Sequence, residues 1–252
     1  MKYIYSLLLL SLSAFGVEKN INQVTSFLVA DQIIFEEKFD KDIFSQKHWY
    51  LRKSKWIPEN GILKGTSLAE GNGAFLRLKG KESGGILPED YVMTFKFKVG
   101  EKEDGTVSAG NRVSLGHYAY KFQWRGDRGT IINIMHGVAL EDPNFKVLNG
   151  KWYEVIIECK DDEIFFKIVD GPSYYMQHEL FKKKTAGWEY FIKKGEVGYL
   201  DDLRVWSLTG DVKNEWAETR KKLIESKKVF IQSKNPNFKT TKDKSPKKKK
   251  SK

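Results

Sequence analysis

The feature that most constrains this chain is a period of two. In YVMTFKFKV (91–99), Tyr91, Met93, Phe95, Phe97 and Val99 fall on one face of an extended strand, leaving Thr94, Lys96 and Lys98 on the other. The same short, aromatic and β-branched runs recur from Ile33 to Leu208, cut by Gly, Asn and Asp. Strands are predicted over 33–39, 49–54, 61–67, 74–80, 91–99, 111–118, 120–126, 130–137, 152–159, 163–170, 190–194 and 197–208. Asn60-Gly61 and Asp161-Asp162 read as hairpin turns. About a dozen strands of this length make two packed sheets, an all-β sandwich.

The single cysteine, Cys159, excludes a disulfide framework and any CxxC zinc or redox site. It shares parity with Tyr153, Val155 and Ile157, so it reads as a small buried hydrophobe. The +11 net charge is uneven: residues 211–252 carry fifteen Lys/Arg against five Asp/Glu, and the rest is nearly neutral. The ends differ from the middle. Met1-Lys2, the apolar run YIYSLLLLSLSAF and small Ala14 and Gly16 predict an export signal over 1–16, then a linker over 17–32. The run is shorter than the roughly 20 apolar residues that span a bilayer. The mature chain is therefore expected to be exported, periplasmic or extracellular, with its sandwich over 33–210.

Val212, Trp216, Leu223 and Phe230 line one face of an amphipathic helix predicted over 211–232, with Asp211 or Asn214 as its cap. That face either docks on the domain or lies on an anionic membrane. Residues 233–252, ending in SPKKKKSK, are too polar to bury themselves and read as a disordered Lys-rich tail. Such a tail attracts anionic polysaccharide or lipid headgroups; the export signal argues against nucleic acid.

Parity also places a candidate binding face. Val113, Phe122, Ile132 and Ile134 point inward, which turns Arg112, Ser114, Tyr118, Lys121, Gln123, Arg125 and Asn133 outward on three successive strands. Such a polar, basic and aromatic surface suits a saccharide, with Tyr118 and Trp124 against the sugar ring, although Trp124 shares the parity of Phe122. His117 and His136 are the candidate general bases, and their parity equally suits histidines at the edge of the core. Glu37, Asp201 and Asp202 could hold a structural Ca²⁺ if the first and last strands are neighbours; turn and edge solubility explain them equally well.

No P-loop, GxSxG elbow, HExxH or EF-hand loop occurs. The alternating E-x-D-x-x-E acids of a retaining jelly-roll glucanase are also missing. Glu154 and Glu158 share the outward parity of Trp152 and Ile156, but four residues of strand span about 13 Å, too far for a cooperating pair.

Three segments carry a resemblance: the hairpin WIPENGILKGTS, the run LNGKWYEVIIECKDDEIFFKIVDG and the closing strand GYLDDLRVWSLT. They resemble the 3-keto-disaccharide hydrolase domains, family-16 glycoside hydrolase-like members of the concanavalin A-like lectin/glucanase superfamily. The helix EWAETRKKLIESK and the Lys-rich end also look like an extended version of that domain, so the resemblance covers roughly Ile33 to Lys228. It implies a secreted concanavalin A-like jelly roll acting on 3-keto-glycosides, where a ketone acidifies the adjacent C–H and elimination can replace displacement. Such chemistry needs a base and sometimes a metal. The matched motifs are turns and core positions, which speak for fold more than for activity. The competing expectation is a non-catalytic envelope or matrix adhesion module that holds an anionic polymer through its tail.

Overall fold

The computed structural model describes residues 20–41, 47–52, 54–67, 73–107, 109–115, 120–183, 187–235 and 237–238. The expected export signal and most of the Lys-rich tail lie outside the described residues. A short helix α1 (Ile21–Val24) leads into β1 (Leu28–Glu37), β2 (Trp49–Arg52), β3 (Ser54–Glu59), β4 (Ile62–Ser67), β5 (Ala74–Leu78), β6 (Tyr91–Val99) and β7 (Ala109–Leu115). There follow β8 (Tyr120–Arg125), β9 (Thr130–Ile134), β10 (Gly137–Asp142), β11 (Trp152–Lys160), β12 (Glu163–Ile168), β13 (Ser173–Gln177), β14 (Trp188–Ile192) and β15 (Val197–Val212). Helix α2 (Trp216–Glu225) and β16 (Val229–Ile231) close the fold.

The strands form two sheets, the sandwich that the alternation predicts and the all-β jelly roll that the resemblance implies. One is ordered β16-β13-β12-β11-β6-β15-β4-β3, with β1 also pairing β15; the other is β10-β9-β8-β7-β14-β5-β2. Both predicted hairpins form. Asn60 and Gly61 adopt φ 53° and 76° between the paired Glu59 and Ile62, the left-handed geometry a two-residue turn needs. Lys160 pairs Glu163 across Asp161-Asp162, with Asp161 at φ 49°.

Tyr91, Met93, Phe95, Phe97 and Val99 all lie in the core between the sheets, against Val113, Phe122, Ile132 and Ile134 from the other sheet. Tyr153, Val155, Ile157 and Cys159 point into it as parity requires. Phe122 stacks on Phe166 at 3.9 Å between centroids, bridging the sheets.

Several expectations are corrected. The linker expected over 17–32 is partly built into the sandwich: Phe27, Leu28 and Ala30 are buried and β1 begins at Leu28. Strands β10, β13 and β16 were not predicted. The expected 211–232 helix is shorter, because β15 runs to Val212 and Phe230 belongs to β16, which pairs in parallel with β13. Glu215 occupies the N-cap position, with no side-chain capping bond, instead of Asp211 or Asn214. Trp216 and Leu223 do dock on the domain, in a second apolar cluster with Phe27, Val92, Phe165, Tyr175 and Trp206. Phe238 packs on Phe230 at 4.8 Å, so the chain is part of the fold beyond position 233, where a tail was expected to begin.

Glu158 is the largest departure from the alternating pattern. Strand pairing places it in one row with Trp206, Val92, Phe165 and Tyr175 on the outer face of the larger sheet. That row is covered, and Glu158 is wholly buried. Its carboxylate accepts from the backbone N–H groups of Ser26, Phe27 and Leu28 at 2.8, 3.0 and 2.7 Å. Burial pushes its carboxyl up, and these three donors with nearby Lys213 pull it back. Lys213 in turn donates to the carbonyls of Asn22 and Thr25, so one acid and one base hold the N-terminal segment on the sheet.

Candidate functional site

The outer face of the seven-stranded sheet carries two rows of residues set by register. One row reads Tyr50, Arg77, Glu189, Ser114, Lys121, Asn133 and Val138 across the sheet. The next reads Phe75, Phe191, Arg112, Gln123, Ile131 and Glu141. Over the β7–β10 half of this face lies a concavity of about 520 Å³, lined by Arg112, Lys121, Gln123, Arg125, Arg128, Ile131, Asn133, His136 and Val138.

Five residues read from parity, Arg112, Lys121, Gln123, Arg125 and Asn133, are thus brought to one place. The strands alternate, and the sheet pairs β7 with β8 and β8 with β9. Of the remaining candidates, His117 and Tyr118 lie outside the described residues. Ser114 takes its place in the β7 ladder opposite Lys121.

Trp124 is corrected: it is buried in the core and stacks on Phe97 at 4.4 Å, so it offers no surface to a sugar. Its parity with Phe122 decides the matter.

His136 is neither at the core edge nor inward. It occupies the two-residue β9–β10 turn with Met135, at φ 78° and 46°, and is exposed. Its Nδ1 lies 3.0 Å from Lys121 Nζ. An ammonium at Lys121 donates to that nitrogen and leaves the imidazole proton on Nε2. Lys121, then burial and Arg112, lower the His136 pKa. Lys121 is itself only 5% exposed; burial and Arg112 bring its pKa down to about 8, against a smaller opposing pull from Glu189.

Two neighbours were not singled out in the sequence. Glu189, 4% exposed, accepts from Arg77 Nε and Nη2 at 3.2 and 2.7 Å through Oε2, while its Oε1 has no hydrogen-bond partner among the described residues. Its position between Trp188 and Tyr190, both core residues, was the available signal. Arg128 reaches the concavity from the turn after β8 and pairs with Glu141. The Arg112 guanidinium sits 4.1 Å from the Phe191 ring centroid.

The calcium expectation at Glu37, Asp201 and Asp202 depends on the first and last strands being neighbours. β1 and β15 are indeed neighbours, with Glu37 opposite Leu203. Two of the three carboxylates have protein partners. Glu37 accepts from the Phe39 N–H at 2.9 Å, and Asp202 pairs with Lys96 and Arg204 at 3.2 and 3.1 Å. Burial raises the Asp201 carboxyl, and Lys96 pulls it back. No group of three or more His, Cys, Asp or Glu among the described residues is arranged to hold a metal ion.

A larger concavity, about 780 Å³, lies between the N-terminal segment and the start of α2. Asn22, Thr25 and Lys213 in its wall are tied into the clasp around Glu158 and β1. No helix among the described residues is long and apolar enough to cross a membrane.

No family model matches the chain, and no curated protein matches it. Among solved structures it is similar to a sialidase, at 13% identity over 73% of this chain and 19% of that one, with a TM-score of 0.47. It is also similar to the catalytic domain of an endo-1,3-β-glucanase (laminarinase) from Thermotoga petrophila RKU-1, at 12% identity over 72% of this chain and all of that one, TM-score 0.45. A laminarinase from Flavobacterium sp. UMI-01 is similar at 11% identity over 70% of this chain and all of that one, TM-score 0.45. Likenesses this distant carry no function across, so the reading below rests on the chain's own residues.

Proposed function

We propose that this chain binds a saccharide in the concavity on the outer face of its seven-stranded sheet. The observation that carries the reading is the convergence of Arg112, Lys121, Gln123, Arg125 and Asn133, from three successive strands, on one open hollow. Guanidinium, ammonium and amide groups supply the donors and acceptors that sugar hydroxyls require, on a rigid sheet that holds them in place. Affinity electrophoresis of the full chain through gels containing a panel of polysaccharides tests it. Gln123→Ala is expected to weaken retention roughly tenfold without lowering the melting temperature. Unchanged retention in both Gln123→Ala and Arg125→Ala would place the site elsewhere.

The Lys121–His136 contact favours a second, catalytic reading, and with it the 3-keto-glycoside chemistry of the resembled domains. In that reaction a base removes the proton beside the ketone, the C–O bond to the aglycone breaks, and the departing oxygen takes a proton. While Lys121 is charged it occupies the one acceptor nitrogen of His136; once Lys121 is neutral, its amine, or His136 Nε2 with the imidazole proton moved to Nδ1, is the base at hand. A folded His136→Asn chain is expected to lose aglycone release from a 3-keto-glucoside while still binding it. Turnover at the unaltered rate would end the role of His136. The adhesion alternative rests on the tail, beyond the described residues.

A further inference from the structure

A second hollow lies at the rim of the larger sheet, on the other side of the sandwich. Strand β11 pairs with β6 from Trp152 onward, but its ladder with β12 begins only at Val155. After one further bond, from the Val169 N–H to the Glu154 carbonyl at 2.9 Å, the chain beyond β12 turns away through Asp170 and Gly171. The start of β11 therefore stands out past its neighbour. Residues 145–148 border the gap, leaving a concavity of about 450 Å³. Sites for small ligands commonly measure about 300 to 1,000 Å³.

The core holds this wall in place. Thr130 Oγ1 donates to the Phe145 carbonyl at 3.1 Å, the Leu148 N–H donates to the Tyr153 hydroxyl at 3.0 Å, and Val147 between them is fully buried. The Phe145 and Tyr153 rings meet edge to face at 6.1 Å. Trp152 falls on the outer face of the sheet with Glu154 and Lys96, because Tyr153, Val155, Phe95 and Phe97 take the core positions. It is half-buried, in a T-shaped contact with Tyr199 at 6.4 Å.

The hollow thus combines three rings, Phe145, Trp152 and Tyr153, with charges of both signs. Lys96, Lys146 and Lys151 stand against Glu154 and Asp170. That mixture narrows the ligand. An anion meets the two carboxylates and a cation meets the three ammonium groups, while an apolar molecule would displace water from charged groups without replacing its hydrogen bonds. A neutral sugar ring suits both halves of the lining. Its C–H face lies against a ring, and its hydroxyls donate to carboxylates and accept from ammonium groups.

We propose that this hollow is a second saccharide site, taking a neutral sugar ring, so that the chain holds glycan on opposite sides of its sandwich. It shares no described lining residue with the concavity over β7–β10, and it stands whether or not that one binds.

The test follows the indole N–H resonance of Trp152 in the isotope-labelled full chain, assigned by its loss in Trp152→Phe. The probes are cellohexaose, laminarihexaose, xylohexaose and mannohexaose, with trigalacturonate as the charged control. At least one neutral probe is expected to shift that resonance saturably. Its affinity should hold between about 0.05 and about 0.5 M salt and fall roughly tenfold in Glu154→Gln. That change keeps the size of a side chain on the outer face, so the fold is kept. In Gln123→Ala the same titration should be unaltered.

A Trp152 shift that persists while neither Gln123→Ala nor Arg125→Ala changes retention in the polysaccharide gels supports this site and ends the reading of the other. A shift lost in Gln123→Ala is relayed from the first concavity and overturns the second. Trigalacturonate bound more tightly than every neutral probe, with affinity falling as salt rises, overturns the neutral class. No shift from any neutral probe overturns the site.

Discussion

Lys121 and Trp124 are three residues apart on β8 and face opposite ways, which gives them opposite consequences when replaced. Trp124→Ala empties a core position stacked on Phe97 and is expected to cost about 3 to 5 kcal/mol in urea unfolding, with ligand affinity unchanged in the folded fraction. Lys121 is held charged at a cost. It faces Arg112 from β7, Glu189 from β14 and His136 from the β9–β10 turn, and its pKa is brought down to about 8. The unfolded chain therefore holds more protons than the folded one between about 8 and the ordinary lysine value of 10.5, so this residue makes stability rise with pH across that window. Lys121→Met should accordingly stabilise the protein at pH 7, by about 1 kcal/mol once solvent screening of the ammonium is allowed for. The gain should shrink toward pH 10.5 in thermal melts taken at several pH values. A variant less stable than the parent at pH 7 would show that the lysine is favourably held.

At the scale of elements, two local devices shape the molecule. The β9–β10 turn uses Met135 and His136 where Asn-Gly is the usual choice, and both sit at positive φ. Met135→Asn with His136→Gly is expected to raise stability by about 1 to 2 kcal/mol in urea unfolding, at the expense of the contact with Lys121. The other device is the clasp around Glu158. Glu158→Ala leaves three backbone N–H groups without their acceptor and should cost about 3 kcal/mol, with loss of hydrogen-exchange protection at Ser26, Phe27 and Leu28 before the sheets open.

These devices also mark where the sequence was legible. Alternation placed Arg112, Lys121, Gln123, Arg125 and Asn133 on their face because parity needs only the strand itself. It could not show that Glu158 is covered, since the cover comes from the N-terminal segment and α2, far away in the chain. Strand β16 has three residues and exists through its parallel pairing with β13, so no local pattern announces it. His136 was misplaced because strand parity was carried two residues past the end of β9, into a turn that swings the side chain to the other face.

For the molecule as a whole, the large core joins both sheets, and Cys159 sits inside it, fully buried, on β11. A thiol reagent cannot reach it through local fraying at the edges. Its modification rate in native buffer should therefore match the global unfolding rate extrapolated to zero denaturant. Much faster labelling would reveal a sub-global opening between the sheets.

The rows across the seven-stranded sheet have a further consequence for how such a protein can change over time. Within each row every member comes from a different strand, and the neighbours of Lys121, Gln123 and Asn133 along their own strands belong to the core. A single substitution can thus alter the charge or reach of one contact while the packing that holds the sheet is left intact. The face behaves as a keyboard whose keys are pressed independently, so closely similar sandwiches can diverge in what they hold long before they diverge in shape.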